Sequence, residues 1–128
     1  MGSPVDPALT LTLATKCLQV NNLTGRTEVL PLRWGESVPH LSPPLDLVLA
    51  SDVAYDAACV PALISTFATL CGPATRGLLA FEARPPVTDM AVALLPQHGL
   101  VGTPVCVWHP SSSDVTTTAV MSFLTCCL

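Results

Sequence analysis

With 128 residues and a formal net charge of −4, the chain has material for one domain, 1–128, and no more. Half of the residues are hydrophobic and 11% are charged, enough apolar material for a core. A pI near 5.0 is the wrong sign for a protein whose main partner is a nucleic-acid backbone.

Thirteen prolines limit the helix and strand content. The six cysteines form no Cys-x-x-Cys pair and the histidines are not grouped with them, which argues against zinc. Most lie in apolar runs, where a thiol behaves as a small hydrophobe. With no signal peptide at the start, they are expected to be reduced in a cytoplasmic or nuclear protein. No apolar run approaches the roughly 18 residues of a membrane span, so no membrane partner is expected.

Met1 to Pro7 is a frayed start. Ala8 to Val20 carries two signals. Leu9-Leu13 and Ala14-Leu18 match one face of a helix, whereas Leu9-Leu11-Leu13 alternating with threonines matches a strand. Asn21, Asn22 and Gly25 offer a C-terminal stop and tip the balance to helix. Thr27 to Leu32 is a short strand, demoted to an edge by Pro31, which has no N–H to donate. Trp34 beside Gly35 suits a packed aromatic with its N–H satisfied. Glu36 to Pro44 is a loop, with His40 in solvent.

Leu45 to Tyr55 organises the rest. Leu47, Val48 and Leu49 form a short apolar run after the breaker pair Pro43-Pro44, the pattern of a strand covered on both faces, as in a parallel sheet. The run stops at Ser51-Asp52. Ligands of open α/β sheets sit at the carboxyl ends of strands, so an acid and a phenol three apart, Asp52 and Tyr55, are candidates for a site. The competing assignment is that an acid here caps the next helix, a role open to Asp52 and Asp56 alike.

Ala57 to Leu70 is a helix, with Val60, Leu63, Ile64, Phe67 and Leu70 on one face and Pro61 tolerated in the first turn. Gly72-Pro73 ends it. Gly77 to Phe81 is a second buried strand, running into Glu82 and Arg84, which pair with each other or with solvent. Strand, helix, strand implies a right-handed parallel crossover. A helix over Val87 to Leu95, with Met90, Leu94 and Leu95 as its apolar side, leads to a strand over Gly99 to Val107. A polar turn follows at Ser111 to Asp114, then a last strand over Thr116 to Leu124.

Leu32-Arg33-Trp34-Gly35, Leu45 to Tyr55 and Leu70-Cys71-Gly72 resemble the seven-strand S-adenosylmethionine-dependent methyltransferases. The likeness is to the methyltransferase-like protein-lysine methyltransferases, which read Leu-x-Trp-Gly, then Asp-Leu-Ile-Leu-x-Ala-Asp-x-x-Tyr, then a helix ending near Leu-Cys. Ser51 stands where the family usually has Ala. The resemblance spans roughly Asp6 to Val107. It implies an α/β, Rossmann-like fold, S-adenosyl-L-methionine as cofactor and a lysine side chain of a protein as substrate. It further implies that Asp52 and Tyr55 are catalytic and that Trp34 lies against the adenine. Ser51 would contact the cofactor through its backbone, and Asp6, ahead of the first helix, would bond the ribose.

Such folds open with a Gly-rich turn, because only a residue without Cβ lets the backbone approach the cofactor. None of the seven glycines forms a Gly-x-Gly pair. The expectation is therefore a partial sheet, with strands 1 and 2 of the family's 3-2-1-4-5-7-6 order largely missing and the last strand antiparallel. Such a truncated chain leaves the Leu45–Ala50 strand with an open edge and is poorly stable. Two functions remain: a methyltransferase-like domain, incomplete as it stands, or an inactive remnant that binds a protein partner through its sheet edge. A hydrolase is disfavoured, since there is no Gly-x-Ser-x-Gly elbow.

Overall fold

The structure is a computed structural model that describes residues 6–37, 41, 45–82, 85–108 and 118–125, with the backbone alone for Pro85, 104–108 and 118–125. His40, Arg84 and the turn expected at Ser111–Asp114 lie outside the described residues. The chain divides into two compact units, Met1–Arg33 and Trp34–Leu128.

In the first unit, α1 spans Pro7–Val20. Its start is fixed by Asp6, whose carboxylate accepts the Ala8 N–H at 3.0 Å, and by a proline in the first turn, where no N–H is needed. The threonines that argued for a strand are accommodated by back-bonding. Thr10, Thr12 and Thr15 donate their hydroxyls to the carbonyls of Asp6, Ala8 and Leu11. The C-terminus is a Schellman closure. Asn22 adopts φ +56°, its N–H bonds the Gln19 carbonyl at 3.1 Å, and the Leu23 N–H bonds that of Leu18 at 2.9 Å. Thr27 to Leu32 has no regular structure, which corrects the strand expected there. Pro31 removes a ladder donor near the end of a six-residue stretch.

The second unit contains β1 (Leu47–Ser51), α2 (Val60–Leu70), β2 (Arg76–Glu82), α3 (Pro85–Leu94), β3 (Leu100–Trp108) and β4 (Thr118–Thr125). Among the described residues the sheet order is β1-β2-β4-β3. β1 and β2 are parallel, with Leu47 opposite Arg76 and Ser51 opposite Ala80. β4 runs antiparallel to both β2 and β3. Among the described residues β1 is therefore an edge strand, paired on one side.

One cluster holds the unit together. Val60, Leu63, Ile64, Phe67 and Leu70 of α2 meet Val48, Leu79, Phe81 and Leu100 of the sheet and Val87, Ala91 and Leu95 from α3 and its end. The α2 face is the one its periodicity indicates. For α3 the buried centre is Val87, Ala91 and Leu95, with Met90 and Leu94 at its margin.

The opposite face of the sheet differs from expectation. Leu47 is 49% exposed and Leu49 66%, so β1 is covered on one face only. Leu78 of β2, in register with Leu49, and Ala80, opposite Ser51, are half-buried. The run Leu47-Val48-Leu49 is continuous in hydropathy and yet alternates in burial, because α2 and α3 both pack on the Val48 side.

A buried threonine joins the two parallel strands at their start. Thr75, 1% exposed, donates to the Leu45 carbonyl at 2.6 Å and accepts the Gly72 N–H at 2.8 Å. At the end of α2, burial pushes the Cys71 thiol above its ordinary range, which favours its protonated form.

Candidate functional site

The carboxyl end of β1 is built by three consecutive constraints. Ser51, exposed, is the last strand residue, opposite Ala80 of β2. Asp52 then turns the chain out of the sheet with φ +56°, while its N–H still bonds the Ala80 carbonyl at 2.8 Å. Ala54 is buried and anchors the segment that follows. Asp56 starts a 3-10 turn over Ala57–Cys59 that runs into α2, and its carboxylate accepts the Ala58 N–H at 2.9 Å.

The two acids are thereby told apart. Asp56 is the cap. Asp52 caps nothing in the helix that follows; it sits exposed at the strand end in a left-handed conformation, where an L-residue costs about 1–2 kcal/mol and only Asp, Asn and Gly are at ease. Tyr55, three residues on, is 64% exposed, so its phenol is available to a ligand.

Trp34 and Gly35 reach this unit from the preceding loop. Gly35 has φ +85°, a conformation that requires glycine, and its N–H bonds the hydroxyl of Thr66 on α2 at 2.6 Å. A Cβ at Gly35 would stand 3.5 Å from the Ala62 Cβ. Trp34 is half-buried against the core cluster. The turn thus rests on the middle of α2, the helix that leads away from the carboxyl end of β1. Thr66, buried at 3% exposure, is the residue the sequence reading passed over. The available signal was a hydroxyl inside an otherwise apolar helix face, which has to find partners.

Asp6 is described with α1, where one carboxylate oxygen serves as the helix cap. Ser51, Asp52 and Tyr55 follow one another along one turn, and Gly35, beside Trp34, is bonded to the helix that follows it. The apolar cleft of about 330 Å³ lined by Val92, Leu95, Pro96 and Gly99–Gly102 lies beside the start of β3. Among the described residues no cluster of His, Cys, Asp and Glu is suited to a metal.

A small sheet with a parallel β1-α2-β2 unit, three helices, and a polar turn at the end of β1 places the chain among α/β proteins of methyltransferase-like fold. The match to a family model for lysine methyltransferases over residues 5–92, more than half of the sequence, shows that the chain belongs to that family. Solved structures agree on the fold. The O-methyltransferase NcsB1 from neocarzinostatin biosynthesis, determined with S-adenosyl-L-homocysteine and 1,4-dihydroxy-2-naphthoic acid, is 14% identical with a TM-score of 0.62 over 90% of this chain and 39% of its own. The mitomycin 7-O-methyltransferase MmcR is 20% identical, TM-score 0.57, over 87% and 38%. The precorrin-6y C5,15-methyltransferase of Geobacter metallireducens GS-15 is 12% identical, TM-score 0.56, over 88% and 61%. The chain thus spans about two fifths of the length of the two O-methyltransferases. No curated protein matches its sequence.

Proposed function

We propose that the chain is the acceptor-side part of an S-adenosyl-L-methionine-dependent protein-lysine N-methyltransferase, acting on a lysine side chain of a cytoplasmic or nuclear protein. The observation that carries this reading is the division of labour between Asp52 and Asp56. The helix cap is Asp56, which leaves the Asp52 carboxylate at the strand end for other work.

The residues present fit the adenosine side of such a cofactor: a half-buried indole beside a left-handed glycine, and a polar strand end at Ser51. The family membership supports the same cofactor. No glycine-rich turn is available for the methionyl end. The sequence has no Gly-x-Gly, and a Cβ on Gly25 would touch nothing within 4 Å. Trp34 is assigned to the adenine and the Ser51 backbone to the adenosine.

When bound, the cofactor supplies an electrophilic sulfonium methyl. The lysine must arrive as a neutral amine, aligned with that methyl, so positioning supplies much of the rate. The Asp52 carboxylate holds the incoming ammonium and accepts its proton. The Tyr55 hydroxyl accepts a hydrogen bond from the amine and orients its lone pair, and the ring stabilises the positive charge that returns as the N–C bond forms and the C–S bond breaks.

Titration calorimetry with S-adenosylmethionine tests the cofactor assignment. Micromolar binding supports it. Absence of heat from a chain with a folded circular dichroism spectrum overturns it and leaves a non-catalytic protein-binding module. Transfer of labelled methyl to lysine is expected to disappear in Asp52→Asn while cofactor affinity is kept. Asn is preferred to Ala because it tolerates the φ of +56°. Retained transfer would remove Asp52 from the mechanism.

A further inference from the structure

The chain contains several threonines that bond back to the carbonyl four residues earlier, and one of them is unlike the rest. Thr10, Thr12, Thr15 and Thr69 do so in exposed positions, where the bond only satisfies the hydroxyl. Thr66 does the same to Ala62 at 3.0 Å, but it is buried, and its oxygen also accepts the Gly35 N–H at 2.6 Å across 31 residues of sequence. One hydroxyl is thus both donor and acceptor, and ties a loop to the middle of α2.

We infer that Thr66 is a positioning residue for Trp34, acting through the Gly35 amide; the inference rests on the assignment of Trp34 to the cofactor's adenine. The physical case has three parts. Gly35 holds φ +85°, a conformation that glycine adopts easily but does not itself enforce, so the turn depends on an outside contact to keep that shape. Its amide is fixed to a helix whose neighbouring residues Leu63, Ile64 and Phe67 are each at most 3% exposed, so the anchor does not move. Finally, the flanking Trp34 packs only partly against the core, so the hydrogen bond, by fixing the Trp34–Gly35 peptide, sets the direction in which the indole leaves the main chain. A ligand that stacks on this ring meets it already oriented, and the ordering cost on binding is smaller.

Thr66→Val keeps volume and branching and deletes the hydroxyl. Thr66→Ser restores it. In a Trp108→Phe background, Trp34 is the sole tryptophan, and excitation beyond the tyrosine absorption band reports on it alone. Thr66→Val is expected to shift its emission to the red and raise acrylamide quenching, and Thr66→Ser to return both toward the parent. Exchange of the Gly35 amide, which needs no second substitution, should accelerate in Thr66→Val and recover in Thr66→Ser. Affinity for S-adenosylhomocysteine should fall roughly five- to tenfold in Thr66→Val, the loss of one buried hydrogen bond. Thr69→Val, which deletes an exposed back-bond of the same kind, should alter none of these readings. Unchanged emission and exchange in Thr66→Val would overturn the clamp. A changed emission with unchanged affinity would confine Thr66 to a structural role and overturn the positioning claim. If the parent chain binds no cofactor, the adenine assignment fails, and the fluorescence and exchange readings still decide the clamp.

Discussion

The two faces of the β1–β2 pair are built from similar residues and do different things. On one, Val48, Leu79 and Phe81 are at most 9% exposed beneath α2 and α3. On the other, Leu47 and Leu49 face outward at 49% and 66%. The contrast shows that hydropathy sets what a strand can bury, while the placement of helices sets what it does bury. The most severe test substitutes one leucine from each side. Leu63→Ala on α2, 1% exposed, opens a cavity in the cluster and should cost about 2–5 kcal/mol. Leu49→Ala should cost no more than about 0.5 kcal/mol. Urea unfolding followed by circular dichroism measures both, and equal losses would mean that the Leu49 side is packed as tightly as the other.

Polar groups sharpen the same contrast. On the covered side, the Thr75 hydroxyl serves Leu45 and Gly72 at once. Thr75→Val takes one partner from the part-buried Leu45 carbonyl and Gly72 N–H, and should cost about 1–3 kcal/mol. A loss comparable to that of an exposed threonine such as Thr69→Val, measured by the same unfolding curve, would show that water replaces the hydroxyl and that the amino end of the parallel pair is wet.

Much of this architecture is legible in the sequence where local and tertiary signals agree. The α2 stripe of Val60, Leu63, Ile64, Phe67 and Leu70 is apolar at helical spacing and is buried as such. Asn21 and Asn22 mark the end of α1, and Asn22 closes it in the left-handed conformation. Two features were out of reach. The Thr27–Leu32 segment has strand-forming residues but no partner strand among those described, and pairing is not a local property. The Leu47–Leu49 run looks covered on both sides because an apolar run does not reveal how many layers flank it. For the site, the positions of Asp52 and Tyr55 at the end of β1 could be foreseen. The roles of the two acids could not, since Asp52 and Asp56 are equally good caps by type and only backbone geometry assigns the cap. Thr66 was hidden because its partner lies 31 residues away.

That assignment makes the last and smallest pair of effects the most informative. Asp56 accepts the Ala58 N–H, so Asp56→Ala removes a helix cap and should cost about 1 kcal/mol, read as a lowered unfolding midpoint, with methyl transfer reduced only in proportion to the folded fraction. Asp52 accepts no such bond in the turn it begins. What the fold asks of it is a backbone N–H for the Ala80 carbonyl and tolerance of φ +56°, and asparagine provides both. Asp52→Asn should therefore leave stability unchanged within about 0.5 kcal/mol while transfer is lost, and Asp52→Ala should add a penalty of about 1 kcal/mol from the left-handed backbone alone. The stability order parent, Asn, Ala at position 52, set against activity, separates a carboxylate held for chemistry from one held for structure. If Asp52→Asn destabilises as much as Asp56→Ala does, the carboxylate of Asp52 is structural, and the distinction between the two acids on which the catalytic assignment stands is gone.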